Sequence, residues 1–489
     1  MALEAVAVSA VACEAAAACF QEKRGAEYAK HSAFRQDNGL IFPDGQWKFS
    51  APLLALQTDL PPMSARARDV LHIIWMLFEA QGKQPTEVDQ VWALCQSIIR
   101  EKGPYHEGQF RKKHPQIPGL HLRPAGRHAA HTLAPCILPR SRLWVNLRQR
   151  FMLGAEALQL QGVHLPSYCL AWRQRPDALL IRVAGNMFTL PVVGWYILLA
   201  IVALLPRGSG VPGGCRSTMG SVVPGGCRSP GEAAADSPSL QPHILARQAL
   251  CVLTSRWPGV FAHWEAPARI TFGSLCSGAD YAKGMAKAIA EVVSAQDGAP
   301  GIEVHNAMAC EIDRQVWALA PEVPQHYYPD VHKLPTGTAP VVDVCLVSAM
   351  CTSLSRCNRK RRRLTDACVS DPLQASGATT TSSLKYIAEK RPPVCIMENV
   401  TAMADKFTGE DGAVTRDIDM VLGRFRDLGY TCGYDKVDAE AWGMPQTRAR
   451  VYIWAHLPGL PGAQVFGDGI RRAHGTGHTP LASLLCSTP

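Results

Sequence analysis

VDVCLVSAMCTSLSRCN, residues 342–358, is the stretch from which the fold is read. Val342, Val344, Leu346 and Val347 form a short apolar run bounded by the small residues Ser348 and Ala349. Such a run reads as a parallel strand buried on both faces. It delivers Cys351 onto a polar loop, and the carboxyl end of such a strand is where open α/β sheets bind ligands. A cysteine is more often a small buried hydrophobe, so the meaning of Cys351 depends on what the other strand ends carry.

Working outward, residues 269–275, 302–310, 394–398, 431–437 and 451–455 carry the same kind of signal. Helices are predicted between them: 281–294 sets Tyr281, Met285, Ile289 and Val292 on one side, and 416–428 does so with Ile418, Val421, Leu422, Phe425 and Leu428. Alternating strands and helices predict a doubly wound α/β domain with a parallel sheet covered on both faces. After the first strand, Cys276-Ser277-Gly278-Ala279 forms a tight turn into a helix, where glycine and free backbone N–H groups let a ligand approach. Glu311 follows the second strand, where an acid commonly accepts from ribose hydroxyls, and Asp330 lies near the next edge, within reach of an adenine amino group. Together these fit a nucleoside-bearing cofactor.

The strand VCIMENV, 394–400, brings Glu398 to the same sheet edge. Partial desolvation there raises a carboxyl toward neutrality and suits it to give a proton. In GMPQTRARVYIWA, Gln446, Arg448 and Arg450 alternate into the last strand and so face one way. Arg448 is expected to orient Glu398 and to hold a phosphate by its planar fork.

The front half is less informative. Residues 1–40 read as a weakly structured lead, a poor signal peptide because Glu4 and Glu14 interrupt it and no basic segment precedes it. Residues 41–205 read as globular and mostly helical, including an amphipathic helix from Thr86 through EVDQVWALCQSIIRE. Its stretch 106–150 is basic, with Tyr105, Phe110 and Trp144 interspersed, as a surface tracking phosphates would be. MFTLPVVGWYILLAIVALLP, 187–206, approaches the length of a membrane span, but Pro191 and Gly194 break it, favouring a buried core helix. Residues 206–267, with VPGGCRS twice, read as a Gly/Pro/Ser-rich linker, and 268–460 as the catalytic domain, followed by a tail at 461–489. A net charge of +9 favours a polyanionic partner. Seventeen cysteines without a CxxC pair signal neither a zinc site nor a disulfide framework, and so an intracellular, reducing compartment, the nucleus among them.

The ordered set SLCSGA, ACEID, the acid at 330, DVCLVSAMCTSLS, MENV and QTRARVYI, spread over 269–456, resembles the motifs of the cytosine-5 DNA methyltransferase family. That family's closing motifs are expected after its last strand. Here SRLW (141–144), AEALQLQGVHLP (155–166) and RVAGNMFTLPVVGWYILL (182–199) resemble them from the front of the chain. The resemblance implies a circularly permuted enzyme, or a junction between tandem copies, with a Rossmann-like S-adenosylmethionine-dependent sheet and a smaller, mostly helical target-recognition region. It implies S-adenosylmethionine at Cys276, Ser277, Gly278, Glu311, Asp330 and Asn186. It further implies a Cys351 adduct at C6 of a flipped cytosine, Glu398 donating to N3, and Arg448 and Arg450 beside them. DNA would be met by Arg356, Arg359, Lys360, Arg361 and Gln446. RNA is the alternative substrate, and a silent nucleic-acid-binding module the alternative of another class. The latter is motivated by Cys276 in place of the family's aromatic, Asp280-Tyr281 in place of its glycine pair, and Met350 in place of the proline before the nucleophile.

Overall fold

The computed structural model describes residues 91–93, 134, 136–139, 143–145, 150–163, 175–205, 242–257, 260, 268–296, 301–355, 368–408 and 414–471. The chain divides into two units. In the first, Met1–His131 with Ser141–Met152, the described residues form short antiparallel strands: Val91–Ala93 pairs with Leu143–Val145, which pairs with Arg150–Phe151. At 91–93 this corrects the helix expected over 86–101, because Val91 and Trp92 are strand-forming types given a partner of the same kind in Leu143, Trp144 and Val145; the rest of that expected helix lies outside the described residues. The helices of 154–204 belong to the second unit, and residues 1–90 and 94–131 of the region expected to be mostly helical lie outside the described residues.

That second unit, Thr132–Arg140 with Leu153–Pro489, is built on one seven-stranded sheet. In chain order its strands are β1 (Ala268–Leu275), β2 (Ile302–Cys310), β3 (His326–Tyr328), β4 (Val344–Val347), β5 (Val394–Val400), β6 (Thr431–Asp438) and β7 (Ala449–His456). They lie in the order β6-β7-β5-β4-β1-β2-β3. Strands β5, β4, β1, β2 and β3 are parallel, and β7 runs antiparallel to both β5 and β6. The all-parallel expectation is thus corrected at β7, which enters the sheet beside the short β6 connection rather than through a helical crossover. The winding reverses between β1 and β4, so the ligand crevice falls at their carboxyl ends. All four residues of β4 are buried, as its apolar run requires.

The helices are α1 (Gly154–Gln159), α2 (Asp177–Asn186), α3 (Leu190–Leu204), α4 (Pro242–Arg256), α5 (Tyr281–Ser294), α6 (Arg314–Trp317), α7 (Ala375–Lys390), α8 (Asp417–Asp427) and α9 (Ala463–Arg471). Fourteen of the fifteen residues of α3 are buried, which is what a helix apolar all round demands. It packs on β7 through stacked Tyr196 and Tyr452, with ring centroids 4.9 Å apart. It meets α5 at Gly194, where a Cβ would lie 2.8 Å from Met285 Cε. Gly462, just before α9, donates its N–H to Ala203 O at 3.1 Å. No single helix among the described residues is long and apolar enough to cross a membrane. Within the stretch expected to be linker, α4 is a regular helix whose Leu245, Ala246, Ala249, Leu250 and Leu253 are buried.

Candidate active site

Sheet pairing sets the site. Glu398 on β5 is opposite Tyr452, and Arg450 is opposite Val400, so Glu398 and Arg450 are diagonal neighbours on one face of an antiparallel pair. Arg450 Nε donates to Glu398 Oε1 at 3.0 Å, both side chains nearly buried. The next residue, Asn399, points the other way, and its Nδ2 donates to Ala349 O at 3.1 Å, tying β5 to the loop that carries Cys351. That loop turns at the cysteine: Leu354 and Ser355 donate their N–H groups to Cys351 O at 3.0 and 2.8 Å. Met350, the residue before Cys351, is exposed.

The electrostatics follow from burial. Glu398 is only 7 % exposed, and desolvation raises its carboxyl above the usual range, against the pull of Arg450 and Arg448. Desolvation and then Glu398 raise the half-buried Cys351 thiol, while Arg450 and Arg448 favour its thiolate. A carboxyl raised by burial thus shares one charge field with a thiol whose ionisation the same two guanidiniums favour.

Arg448 differs from its expected role. Its Nη1 donates to Ile137 O at 3.2 Å, and its Nη2 to Gly185 O at 3.2 Å and Met187 O at 2.7 Å. The fork is spent on backbone carbonyls, so Arg450 and not Arg448 orients Glu398. Gln446 is corrected too: it is fully buried, and Gln161 Nε2 donates to its Oε1 at 2.8 Å, which removes it from any nucleic-acid surface. Arg356, Arg359, Lys360 and Arg361 lie outside the described residues. Sequence reasoning missed Asn399 and Cys136. Asn399 stood in the quoted motif, but nothing local says where an amide will reach.

At the switch point, the turn after β1 folds onto the end of β2. Ser277 N–H and Oγ both donate to Cys310 O, at 2.9 and 3.1 Å. The Glu311 carboxylate accepts from Gly278 N–H at 2.7 Å and Asp313 N–H at 2.8 Å, and burial raises its pKa despite both bonds. Burial, then Cys310, Glu311 and Asp330, push the Cys276 thiol well up, so it is a neutral thiol among acids. Asp330 accepts from His332 N–H at 2.9 Å. Asn186 at the end of α2, with Met187, Phe188 and Leu190, lines a cleft shared with Ser277, Asp280, Tyr281 and Ser348. Arg182 of α2 is paired to Asp313 at 3.2 Å. The segment 177–190 therefore closes one wall of the crevice. At Gly278 (φ +59) an added Cβ would meet nothing within 4 Å, leaving open space over the turn.

In place of a glycine pair, Asp280 sits in the left-handed region (φ 54). Its carboxylate meets Lys283 Nζ at 2.9 Å, both side chains almost completely buried. Lys283 also donates to Asn306 Oδ1 and Met308 O, each at 2.5 Å. Burial drives both partners toward their neutral forms, and the attraction of each for the other opposes it.

A sheet of this order, with a glycine turn after its first strand, an acid after its second and a ligand crevice where the winding reverses, defines the Rossmann-like, doubly wound α/β class. Residues 273–466 match the model of the C-5 cytosine-specific DNA methylase family. The chain is 23% identical over 200 residues to the DNA (cytosine-5-)-methyltransferase DMT5 of Cryptococcus neoformans var. grubii, covering 38% of this chain and 8% of the relative. It is 25% identical over 162 residues to the type II methyltransferase M.NgoBV of Neisseria gonorrhoeae, covering 32% and 36%. Among solved structures, the S. pombe Dnmt2 methyltransferase is similar at 16% identity and a TM-score of 0.27, covering 39% of this chain and 50% of that one. The chain spans half or less of the length of each.

Proposed function

We propose that this protein is a DNA cytosine-5 methyltransferase in which Cys351 is the nucleophile, Glu398 the proton donor and S-adenosylmethionine the methyl source. The observation that carries the reading is the buried Glu398–Arg450 pair at the same sheet edge as the Cys351 loop. The residues at the switch point fit the cofactor: the open space over Gly278, the acids Glu311 and Asp330, and the cleft wall at Asn186 form a cradle of the right chemistry. Glu311 would have to exchange its bond from Gly278 N–H for one from a ribose hydroxyl. When bound, S-adenosylmethionine supplies a methyl group activated by a sulfonium.

The chain's own residues then do the following. The Cys351 thiolate adds to C6 of an unstacked cytosine, forming an S–C bond, while Glu398 gives its proton to N3 and the displaced electron pair enriches C5. Arg450 keeps the carboxyl oriented through that transfer. After C5 takes the methyl group, its proton leaves to a base, the C5–C6 double bond reforms, the thiolate departs and N3 returns its proton to Glu398. We further propose that the front segment supplies the family's closing motifs in cis, as supported by the packing of α2 and α3 on the crevice and on β7. Because Cys351 acts only as a free thiol, the reading carries with it a reducing compartment.

The test is adduct formation on 5-fluorocytosine DNA with S-adenosylmethionine. The wild-type chain is expected to form a covalent complex that Cys351→Ala abolishes. An adduct that survives the substitution overturns the nucleophile. Transfer to tRNA in preference to duplex DNA reassigns the substrate, and failure to bind S-adenosylmethionine leaves a silent module.

A further inference from the structure

Opposite Glu398, a second thiol faces the same arginines. Residues 134–139 belong to the compact unit of the sheet. They are laid beside the entry to β7 by Ala134, whose N–H donates to Pro445 O at 2.8 Å and whose carbonyl accepts from Thr447 N–H at 2.9 Å. This register sets Cys136 across from the alternating arginines. Arg450 Nη2 donates to its Sγ at 3.6 Å and Arg448 Nη1 at 3.9 Å. Arg450 therefore divides its fork between a carboxyl and a sulfur: Nε to Glu398, Nη2 to Cys136. Two cations converging on one small site need anionic charge to match them, and Glu398 alone supplies at most one negative charge while being required to hold a proton.

We propose that Cys136 is a positioning residue of the proton-donor site: held as a thiolate between Arg450 and Arg448, it offsets the guanidinium charge facing Glu398 and so sets the pH range in which Glu398 stays protonated. The proposal rests on the methyltransferase reading for its kinetic consequence, but not for the state of the thiol. The Cys136 Sγ also lies 3.7 Å from Ile137 O. From β7 comes Arg450 and from the residue just before that strand Arg448; from β5, Glu398 reaches it through Arg450; from the loop after β4, Cys351 shares the field of both arginines. The turn after α2 presents the carbonyls of Gly185 and Met187 to Arg448. Burial raises the Cys136 thiol, but Arg450 and Arg448 outweigh it and hold it below the ordinary thiol value.

The sign of the effect is fixed. Removing the thiolate leaves both guanidiniums unopposed, which favours the ionised forms of Glu398 and of Cys351 alike. The acidic limb of the rate profile reports Cys351 becoming a thiolate, and the alkaline limb reports Glu398 losing its proton. In Cys136→Ser both limbs therefore move to lower pH, by about one unit for a charge at this range in a partly buried site. Cys136→Asp, which restores a negative charge, moves them back. A residue that merely packs would lower kcat without moving either limb.

Two measurements on the full chain decide it. Thiolate absorbance in the ultraviolet, wild type minus Cys136→Ser, is expected to titrate below the ordinary thiol range. Methyl transfer against pH on a cytosine-containing duplex is expected to show the paired shift and its rescue by Asp. A Cys136 that ionises in the ordinary range or above, or limbs that superimpose in wild type and Cys136→Ser, overturns the proposal. If the wild type transfers no methyl group at any pH, the methyltransferase reading falls, and the absorbance titration, which needs no turnover, still decides whether the arginines hold a thiolate.

Discussion

Arg448, just before β7, and Arg450, within it, alternate onto one face and do opposite work. Arg448 is 2 % exposed and satisfies three carbonyls contributed by residues 137, 185 and 187. Arg448→Met strips all three of their donor and is expected to cost about 3–5 kcal/mol, read as a lowered Tm. Arg450→Lys keeps the charge but cannot serve Glu398 and Cys136 together. It is expected to melt within about 1 kcal/mol of wild type while kcat falls about a hundredfold. If Arg450→Lys destabilises as much as Arg448→Met, or Arg448→Met leaves Tm unchanged, the division of labour is wrong. Alternation along QTRAR was readable, and it does bring both arginines to one face. What they meet there was not readable, because the partners lie some 260 to 310 residues earlier in the chain.

Element by element, the long apolar strands were legible because burial on both faces leaves an unbroken run, as in β4 and β5. The direction of β7 was not, since pattern carries no sign. β3 is three residues of His and Tyr at an edge, too short for any periodicity. α7 begins ASGATTTSS, and residues that favour turns hide a helix in which Thr379 and Ser383 hydroxyls donate back to Ala375 O and Thr379 O. The start of α5 poses a sharper question. Asp280 pays for a left-handed backbone, about 1–2 kcal/mol for a non-glycine residue, by pairing with Lys283. Asp280→Gly relieves that strain but leaves a buried ammonium without its counter-charge, about 3–5 kcal/mol. The net expectation is a loss of about 2–3 kcal/mol by denaturant unfolding, of which adding Lys283→Met recovers at least half. Additive single and double variants would show that the pair does not offset the strain.

For the molecule as a whole, the order of motifs along the chain suggested that a front segment serves a site built from the back, and α3 gives that suggestion energetic content. Val192, Val193, Trp195, Tyr196, Ile197, Leu198, Leu199, Ile201 and Val202 are all buried. At about 1.5–3 kcal/mol for each large side chain, their burial amounts to roughly 15–25 kcal/mol before ordering costs. The covalent connection through residues 206–241 contributes far less. An effective concentration of order millimolar against micromolar protein is worth only about 4 kcal/mol. A protease site introduced between 206 and 241 and then cut should therefore leave the two pieces bound to each other. They are expected to co-elute on gel filtration and to unfold in a single transition at slightly lower denaturant. Pieces that separate after cleavage while the 242–489 portion keeps its native fold would mean that the front segment is not part of the core it lines, and with it the wall of the crevice at Asn186 would be lost from the site.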